Sequence, residues 1–246
     1  MRLEIVEQID STNDELYRRG LKGEEEQILI AKEQTNGHGR LGRKWESEEG
    51  VGLYMSILLR PDFEPDKAPL LSLITGLAIK DAIEEVTNLS PKIKWPNDLV
   101  LNKKKVAGIL TTSNIESEKL KFSVVGLGVN MFQKLFPEEL QDKATSLLME
   151  GACFSAETLS KSIAETIESY YNKFLKEKSF EGFIKEYEAA LINKDERVKI
   201  IDGNNTYEAV ALGVAKDGAL KIKKDDGTIE NIKCGEVSVR GLYTYV

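Results

Sequence analysis

Residues 34–43 read QTNGHGRLGR, a run in which Gly37, Gly39 and Gly42 alternate with His38, Arg40 and Arg43. Glycine allows backbone angles and close approaches that a Cβ forbids, and arginine holds its charge throughout the working pH range. Backbone N–H groups and fixed cations gathered in one loop suit an anionic ligand. Another cation, Lys105, opens the apolar run KVAGIL, where the pleat of a strand fixes its direction. Just upstream, KWPND sets Asn97 and Asp98 after Pro96, which breaks a ladder and forces a turn at the end of a sheet. Asn and Asp are also ordinary turn residues, and a plain turn accounts for this pair as well.

Residues 37–42 spell G-x-G-x-x-G, and Asp62 falls about 20 residues beyond Gly42, where a dinucleotide fingerprint expects an acid. The context refuses that reading. A helix has to start at the third glycine, yet residues 43–52 are short, polar and interrupted by Gly50 and Gly52, and the next segment, LYMSILLR, is already a strand. The pattern is strand, cationic loop, strand.

The elements that must present these residues follow from periodicity. Residues 2–8 form a strand that delivers Ser11, Thr12 and Asn13 to a helix start, with Ser11 and Asp14 as a capping pair and Gly20 as the C′ glycine. Capping alone explains the group Ser11, Thr12 and Asn13 to the same degree as ligand binding does. Residues 28–31 lead into the glycine loop, and Trp45 follows it as either a core anchor or a lid on a flat ligand. Pro69 opens a long core helix to about residue 86. Residues 92–95, 99–101 and 105–112 form strands, the last two a hairpin with its turn at 102–104. The strand at 121–129 carries Gly126 and Gly128, and Gly108 lies in the strand before it. Glycines inside strands mark bulges, tight packing or close approach of a ligand, and several near one spot hint at a slot for a flat apolar molecule. Two amphipathic helices follow, from 156 and over 180–191. After Asn193 short alternating strands are punctuated by Asp-Gly pairs at 202–203, 217–218 and 226–227. The fold class is α+β: a mixed β-sheet catalytic domain with helices packed on it over 1–193, then a small SH3-like β-barrel over 194–246.

Composition narrows the function. At 246 residues, 41% apolar and 30% charged, the chain is long enough to bury a substantial core. A formal charge of -7 argues against general nucleic-acid binding, so the local cations have local reasons. Cys153 and Cys234 are far apart and lack metal-ligand spacing, which reads as free thiols in a reducing compartment. The acidic N-terminal run is no signal peptide, and no apolar run reaches membrane-spanning length. These features together predict a cytoplasmic protein with no membrane partner.

Taken in order, Ser11-Thr12-Asn13, GHGRLGRKW, KWPND, KVAGIL and GLGVN resemble the biotin protein ligases over essentially the whole chain. The resemblance implies an ATP-dependent ligase that activates biotin as biotinoyl-AMP and transfers it to a lysine of a biotin carboxyl carrier domain. It implies that Ser11, Thr12, Asn13 and Gln34 hydrogen-bond the ureido end of biotin, and that Gly37, His38, Gly39 and Arg40 form a loop ordering over biotin and the adenylate phosphate. Lys105 would meet the carboxylate and then the acyl phosphate, while Gly108 and Gly126 line the slot. Arg43, Trp45, Asn97 and Asn130 fall at positions tied to nucleotide or metal handling, together with Arg40 and Lys105. Mg²⁺ would be carried on ATP, near Asn130, and Asp98 would orient Lys105 or help take the amine proton. The family commonly reads GRGR, and His38 replaces its first arginine. The Ser-Thr-Asn motif starts ten residues in, which matches the monofunctional class that does not bind DNA. Homodimers are common in that family. A lipoate or octanoate ligase of related fold and a non-catalytic biotin or adenylate sensor are the competing readings, and the polar group at Ser11–Asn13 favours a ureido head over an acyl chain.

Overall fold

Seven strands, β1 (Arg2–Ile9), β2 (Gln27–Gln34), β3 (Gly52–Leu59), β4 (Lys92–Lys94), β5 (Asp98–Leu101), β6 (Lys104–Glu116) and β7 (Lys119–Asn130), build one sheet in the order β1-β2-β3-β7-β6-β5-β4. The computed structural model describes residues 1–203, 205–234, 237–242 and 245–246. Neighbouring strands are antiparallel except β1 and β2. A parallel pair needs a crossover, and α1 (Thr12–Leu21) supplies it. The sheet is mixed and carries helices, as expected for α+β.

Side chains alternate between the two faces of a strand, and this sorts the core from the site. Leu53, Met55, Ile57 and Leu59 of β3 and Val125, Leu127 and Val129 of β7 share one buried cluster with residues of α2 (Leu70–Thr87), α3 (Ala156–Glu177) and α4 (Glu181–Ala190). On the opposite face Leu16 of α1 packs with Leu29, Leu58, Phe122 and Val124. Tyr54, Ser56, Gly126, Gly128 and Gly108 alternate with the core residues and therefore look toward α1.

Two local expectations are corrected. Gly20 lies inside α1, which continues to Leu21 and is capped by Lys22. A Cβ at Gly20 would come within 2.5 Å of the Phe122 ring, so this glycine serves helix-to-sheet packing; Gly23, with φ of +82°, takes the left-handed role. The hairpin turn is shorter than predicted, since Leu101 pairs with Lys104 and only Asn102 and Lys103 connect β5 to β6. Both have positive φ, 46° and 65°, the geometry of a two-residue type I′ loop.

The remaining strands, β8 (Arg197–Asp202), β9 (Asn205–Val214), β10 (Leu220–Lys223), β11 (Ile229–Ile232) and β12 (Ser238–Gly241), form an antiparallel sheet ordered β11-β10-β9-β8-β12. This is the small antiparallel β domain expected after Asn193, and among the described residues its edge strands β11 and β12 are not paired with each other, so no closed barrel is seen. Val198, Ile200, Ala209 and Leu220 join the main core cluster. Trp95 pins the two sheets together: its Nε1–H donates to the Gly218 carbonyl at 3.0 Å, and its backbone N–H donates to Asn193 Oδ1 at 3.0 Å. Burying an indole while pairing its N–H satisfies both its apolar area and its one donor. Among the described residues no helix is long and apolar enough to cross a membrane.

Candidate functional site

Strand register assembles the centre of the site. Tyr54 pairs with Gly128, Gly128 with Gly108, Gly108 with Asp98 and Asp98 with Lys94, so one row crosses five strands. Directly opposed residues point to the same face, which puts two glycines in the middle of this row and a carboxylate and an ammonium at its end. In the adjacent row Gly126 pairs with Ser56 and Leu110. The missing side chains are replaced by neighbours. A Cβ at Gly128 would lie 2.4 Å from the Trp45 indole, one at Gly108 2.8 Å from Lys105 Nζ, and one at Gly126 2.6 Å from Asn13 Nδ2. These strand glycines are required for close approach of other groups.

The glycine loop is a small hairpin. Trp45 donates its N–H to the Gly37 carbonyl at 2.9 Å and Gly39 to the Arg43 carbonyl at 2.7 Å, with His38 bridged to Lys44. Leu41 and Gly42 form the tip with φ of 58° and 68°, and Leu41 is exposed. At Gly37 a Cβ would meet Ser47 Oγ at 2.5 Å, whereas Gly39 meets nothing closer than 3.8 Å. His38 sits beside Asp14 of α1, Nε2 to Oδ1 3.6 Å. Between this hairpin and the sheet the cleft measures only about 60 Å³, room for about two waters. Trp45 covers the glycines, so a ligand larger than water enters only if the hairpin withdraws. Its few cross-loop bonds and exposed charges make that opening inexpensive. Amide exchange at residues 35–44 is therefore expected to be fast without ligand and to slow at least tenfold with the ligands the resemblance implies, biotin and ATP, added together; equal protection in both conditions would refute the opening.

One end of the cleft is a polar chain. Thr12 donates from its backbone N to Gln34 Oε1 at 2.8 Å and shares a 2.8 Å hydroxyl contact with Ser56; Gln34 Nε2 donates to Ser47 Oγ at 2.9 Å. Ser11 caps α1 by accepting from the Asp14 N–H at 3.3 Å, as its spacing predicts, and Asn13 Nδ2 donates to the Leu110 carbonyl at 3.2 Å. Ser11, Thr12 and Asn13 are all buried although polar. The cap explains Ser11 alone; the other two are held at the sheet by partners distant in sequence.

The other end is charged. Lys105 Nζ lies 2.6 Å from Asp98 Oδ1 and 5.1 Å from the centre of the Trp45 ring. Arg40 donates to Asn97 Oδ1 at 2.8 Å and to the Val237 carbonyl at 3.1 Å, and Asn97 Nδ2 donates to the Ile109 carbonyl at 3.1 Å. Burial would raise the Asp98 carboxyl, but the charges of Lys105 and Lys94, with hydrogen bonds from Lys105 and Tyr245, hold it below its ordinary range. Burial lowers Lys94 to about 8, Lys105, Arg240 and Arg43 push the same way, and Asp98 opposes them. Lys94 Nζ rests 3.9 Å from the centre of the Tyr245 ring.

Ser11, Thr12, Asn13, Gln34, His38, Gly39, Arg40, Trp45, Asn97, Lys105, Gly108 and Gly126 line this one cleft. Four expected residues do not: Asp98, which stands behind Lys105 as its ion-pair partner, and Gly37, Arg43 and Asn130. Gly37 supports the hairpin from beneath. Arg43 is exposed and touches the site through its charge on Lys94. Asn130 is buried, and its amide donates to the Thr145 carbonyl at 3.0 Å, closing the segment that pairs with Lys105 through Lys105 N to Lys143 O and Thr145 N to Lys105 O. It supports the strand bearing Lys105 rather than facing the cleft. A larger depression of about 670 Å³, lined by Met1, Glu26, Arg60, Glu168 and Tyr171 among others, shares no residue with the cleft. Arg60 there is committed to the carbonyls of Glu24 and Gly20.

The family model for biotin/lipoate A/B protein ligases matches residues 5–130, and the model for the biotin protein ligase C terminal domain matches residues 195–240. The chain belongs to the biotin/lipoate A/B protein ligase family. Among solved members, the biotin protein ligase from Aquifex aeolicus in complex with biotin and ATP superposes with a TM-score of 0.82 at 34% identity, covering 98% of this chain and 99% of that one. The bifunctional ligase/repressor BirA of Bacillus subtilis is 34% identical over 81% of this chain, a match that spans 62% of the relative's own length. The protein of the same name from Escherichia coli is 30% identical over 96% of this chain and 73% of its own.

Sequence reasoning missed three residues of this cleft and its charged end. Ser56 could have been found by following the alternation of β3 across from Gly126. Lys94 signalled itself weakly, as a lysine inside the apolar run IKW. Tyr245 carried no local signal at all.

Proposed function

We propose that the protein is an ATP-dependent biotin–protein ligase: it joins the biotin carboxylate to the α-phosphorus of ATP and passes the acyl group to the ε-amine of a lysine on a biotin carboxyl carrier domain. What carries this reading is the convergence of Arg40 and Lys105, from separate segments, on one cleft whose far end is the polar chain Ser11, Thr12, Asn13, Gln34. A ureido ring matches buried donors and acceptors at that end, and an unbranched acyl chain would leave them unpaired. The bare backbones at Gly108, Gly126 and Gly128 suit the flat ring and its chain once Trp45 lifts away.

A carboxylate and a triphosphate repel each other, and charge builds on phosphorus as the carboxylate oxygen bonds and pyrophosphate departs. Lys105 and Arg40 offset that charge by fixed position, with no protein nucleophile. Asn97 holds Arg40 and thereby links the hairpin to the turn carrying Asp98. In the second half the carrier amine attacks the acyl carbon, AMP leaves and the amine loses a proton. Asp98 is a poor acceptor for that proton, because its carboxyl lies below the ordinary range and both its oxygens face donors. Orienting Lys105 is the role its surroundings support. Among the described residues no cluster of three His, Cys, Asp or Glu side chains offers a resident metal site, and Asn130 is committed to Thr145. The donor set here fits no resident ion; Mg²⁺, which binds few protein ligands, would arrive on the phosphates. The free thiols Cys153 and Cys234 fit work in the reducing cytoplasm.

Incubation with ATP, Mg²⁺, labelled biotin and a carrier domain is expected to label the carrier covalently. Absence of label, with transfer of lipoate under the same conditions, would replace this reading.

A further inference from the structure

Val237 and Tyr245, on either side of β12, both contact residues of the glycine hairpin and the first sheet. Before the strand, the Val237 carbonyl accepts from Arg40 at 3.1 Å. After it, the Tyr245 hydroxyl donates to Asp98 Oδ2, whose other oxygen faces Lys105 at 2.6 Å. The Tyr245 ring lies against Lys94 at 3.9 Å. Burial and the adjacent carboxylate push the phenol above its ordinary range, so it remains a donor. Asp98 thus stands between one hydroxyl and one ammonium with neither oxygen idle, and its rotamer is defined from both sides.

We propose that Tyr245 is a positioning residue for adenylation: by donating to Asp98 Oδ2 it turns Oδ1 onto Lys105 and holds that ammonium where the two anionic substrates meet. The second sheet then has a chemical task, which is to supply the outer member of a Tyr245–Asp98–Lys105 relay. Lys105 reaches the substrates; Tyr245 does not. The proposal rests on the ligase reading above.

The groups facing Asp98 are Lys105 from β6, Lys94 from β4 and Tyr245, with Arg240 of β12 and Arg43 of the hairpin acting at longer range on Lys94 and Tyr245. Losing the hydroxyl removes a hydrogen bond to the charged form of Asp98 and leaves the cations in place, so its midpoint moves upward.

Tyr245→Phe keeps the ring on Lys94 and deletes only the hydroxyl. Biotin-dependent pyrophosphate exchange is expected to fall about tenfold in kcat, the scale of one charge-assisted hydrogen bond, with KM for biotin and ATP within twofold. The acid limb of the pH–rate profile should move to higher pH. If Tyr245 acts through Asp98, adding Tyr245→Phe to Asp98→Asn should cost almost nothing further. The titration of the Asp98 carboxyl, followed by carbon NMR in the ligand-free protein, should shift upward in Tyr245→Phe. Unchanged kcat with an unchanged Asp98 midpoint would overturn the proposal, as would full additivity in the double variant. Tighter ATP binding with unaltered kcat would also overturn it, showing Tyr245 to be a plug. A wild-type protein without exchange activity would sink the ligase reading, and the Asp98 titration would still decide whether the contact acts on the carboxylate.

Discussion

Lys105→Ala is expected to reduce biotin-dependent pyrophosphate exchange by roughly two to three orders of magnitude. Truncating one member of a largely buried ion pair such as Lys105–Asp98, 2.6 Å apart, costs about 2–5 kcal/mol, and each ~1.4 kcal/mol is a factor of ten. Two effects add here. The cation that offsets the charge of both substrates disappears, and among the described residues Asp98 is left buried against Lys94 and Tyr245. Binding of biotin without ATP should weaken far less, because the polar end at Thr12 and Gln34 is untouched. The variant should also unfold at higher pH on acidification. A carboxyl depressed in the folded state contributes stability above its unfolded pKa and loses it as pH falls through its folded pKa. Removing Lys105 raises that folded value, so the loss begins sooner. Exchange within threefold of wild type, in a variant that still binds biotin, would remove Lys105 from the chemistry.

Lys94→Met is expected to stabilise the fold at pH 7 by about 1–2 kcal/mol while lowering activity. Lys94 is 5% exposed, and burial holds it near 8 against an ordinary lysine of 10.5. Below pH 8 the folded state bears the whole cost of a desolvated ammonium. Between about 8 and 10.5 the unfolded chain binds more protons than the folded one, so wild-type stability recovers as pH rises through that window. A difference of this size corresponds to at most about 3 kcal/mol at 1.36 kcal/mol per unit, and Asp98 gives part of it back by losing a cationic neighbour. Methionine fills a similar volume without charge. Urea unfolding at pH 7 and pH 10.5 tests this: the advantage of Lys94→Met should be present at the first and largely gone at the second. A variant less stable than wild type at pH 7, or an advantage independent of pH, would show that Lys94 is not the strained cation its surroundings imply. Stability gained with activity lost would mark it as a residue kept for the site.

Ser11, the glycine hairpin, Lys105 and the glycines of β6 and β7 were legible in the sequence because each announces itself over a few residues. A helix cap has a side chain three residues from its N–H, and a strand repeats every second residue, so Gly126 and Gly128 had to share a face. The same local logic placed α1 between β1 and β2 and recognised a second sheet after Asn193. It misjudged Gly20 because the reason for that glycine, the Phe122 ring, lies 102 positions away. Asn130 was placed among the positions tied to nucleotide or metal handling, and the fold gives its amide a partner in the Thr145 carbonyl, fastening the segment beside Lys105. Only the tertiary structure decided which row of the sheet joins Gly128, Gly108, Asp98 and Lys94, that Trp45 lies over the glycines, and that Tyr245 completes the charged end from 147 residues beyond Asp98. Periodicity fixes the face on which a side chain stands. Its neighbours on that face, and with them its protonation and its role, depend on strand order and register, which arise from burying the whole core at once.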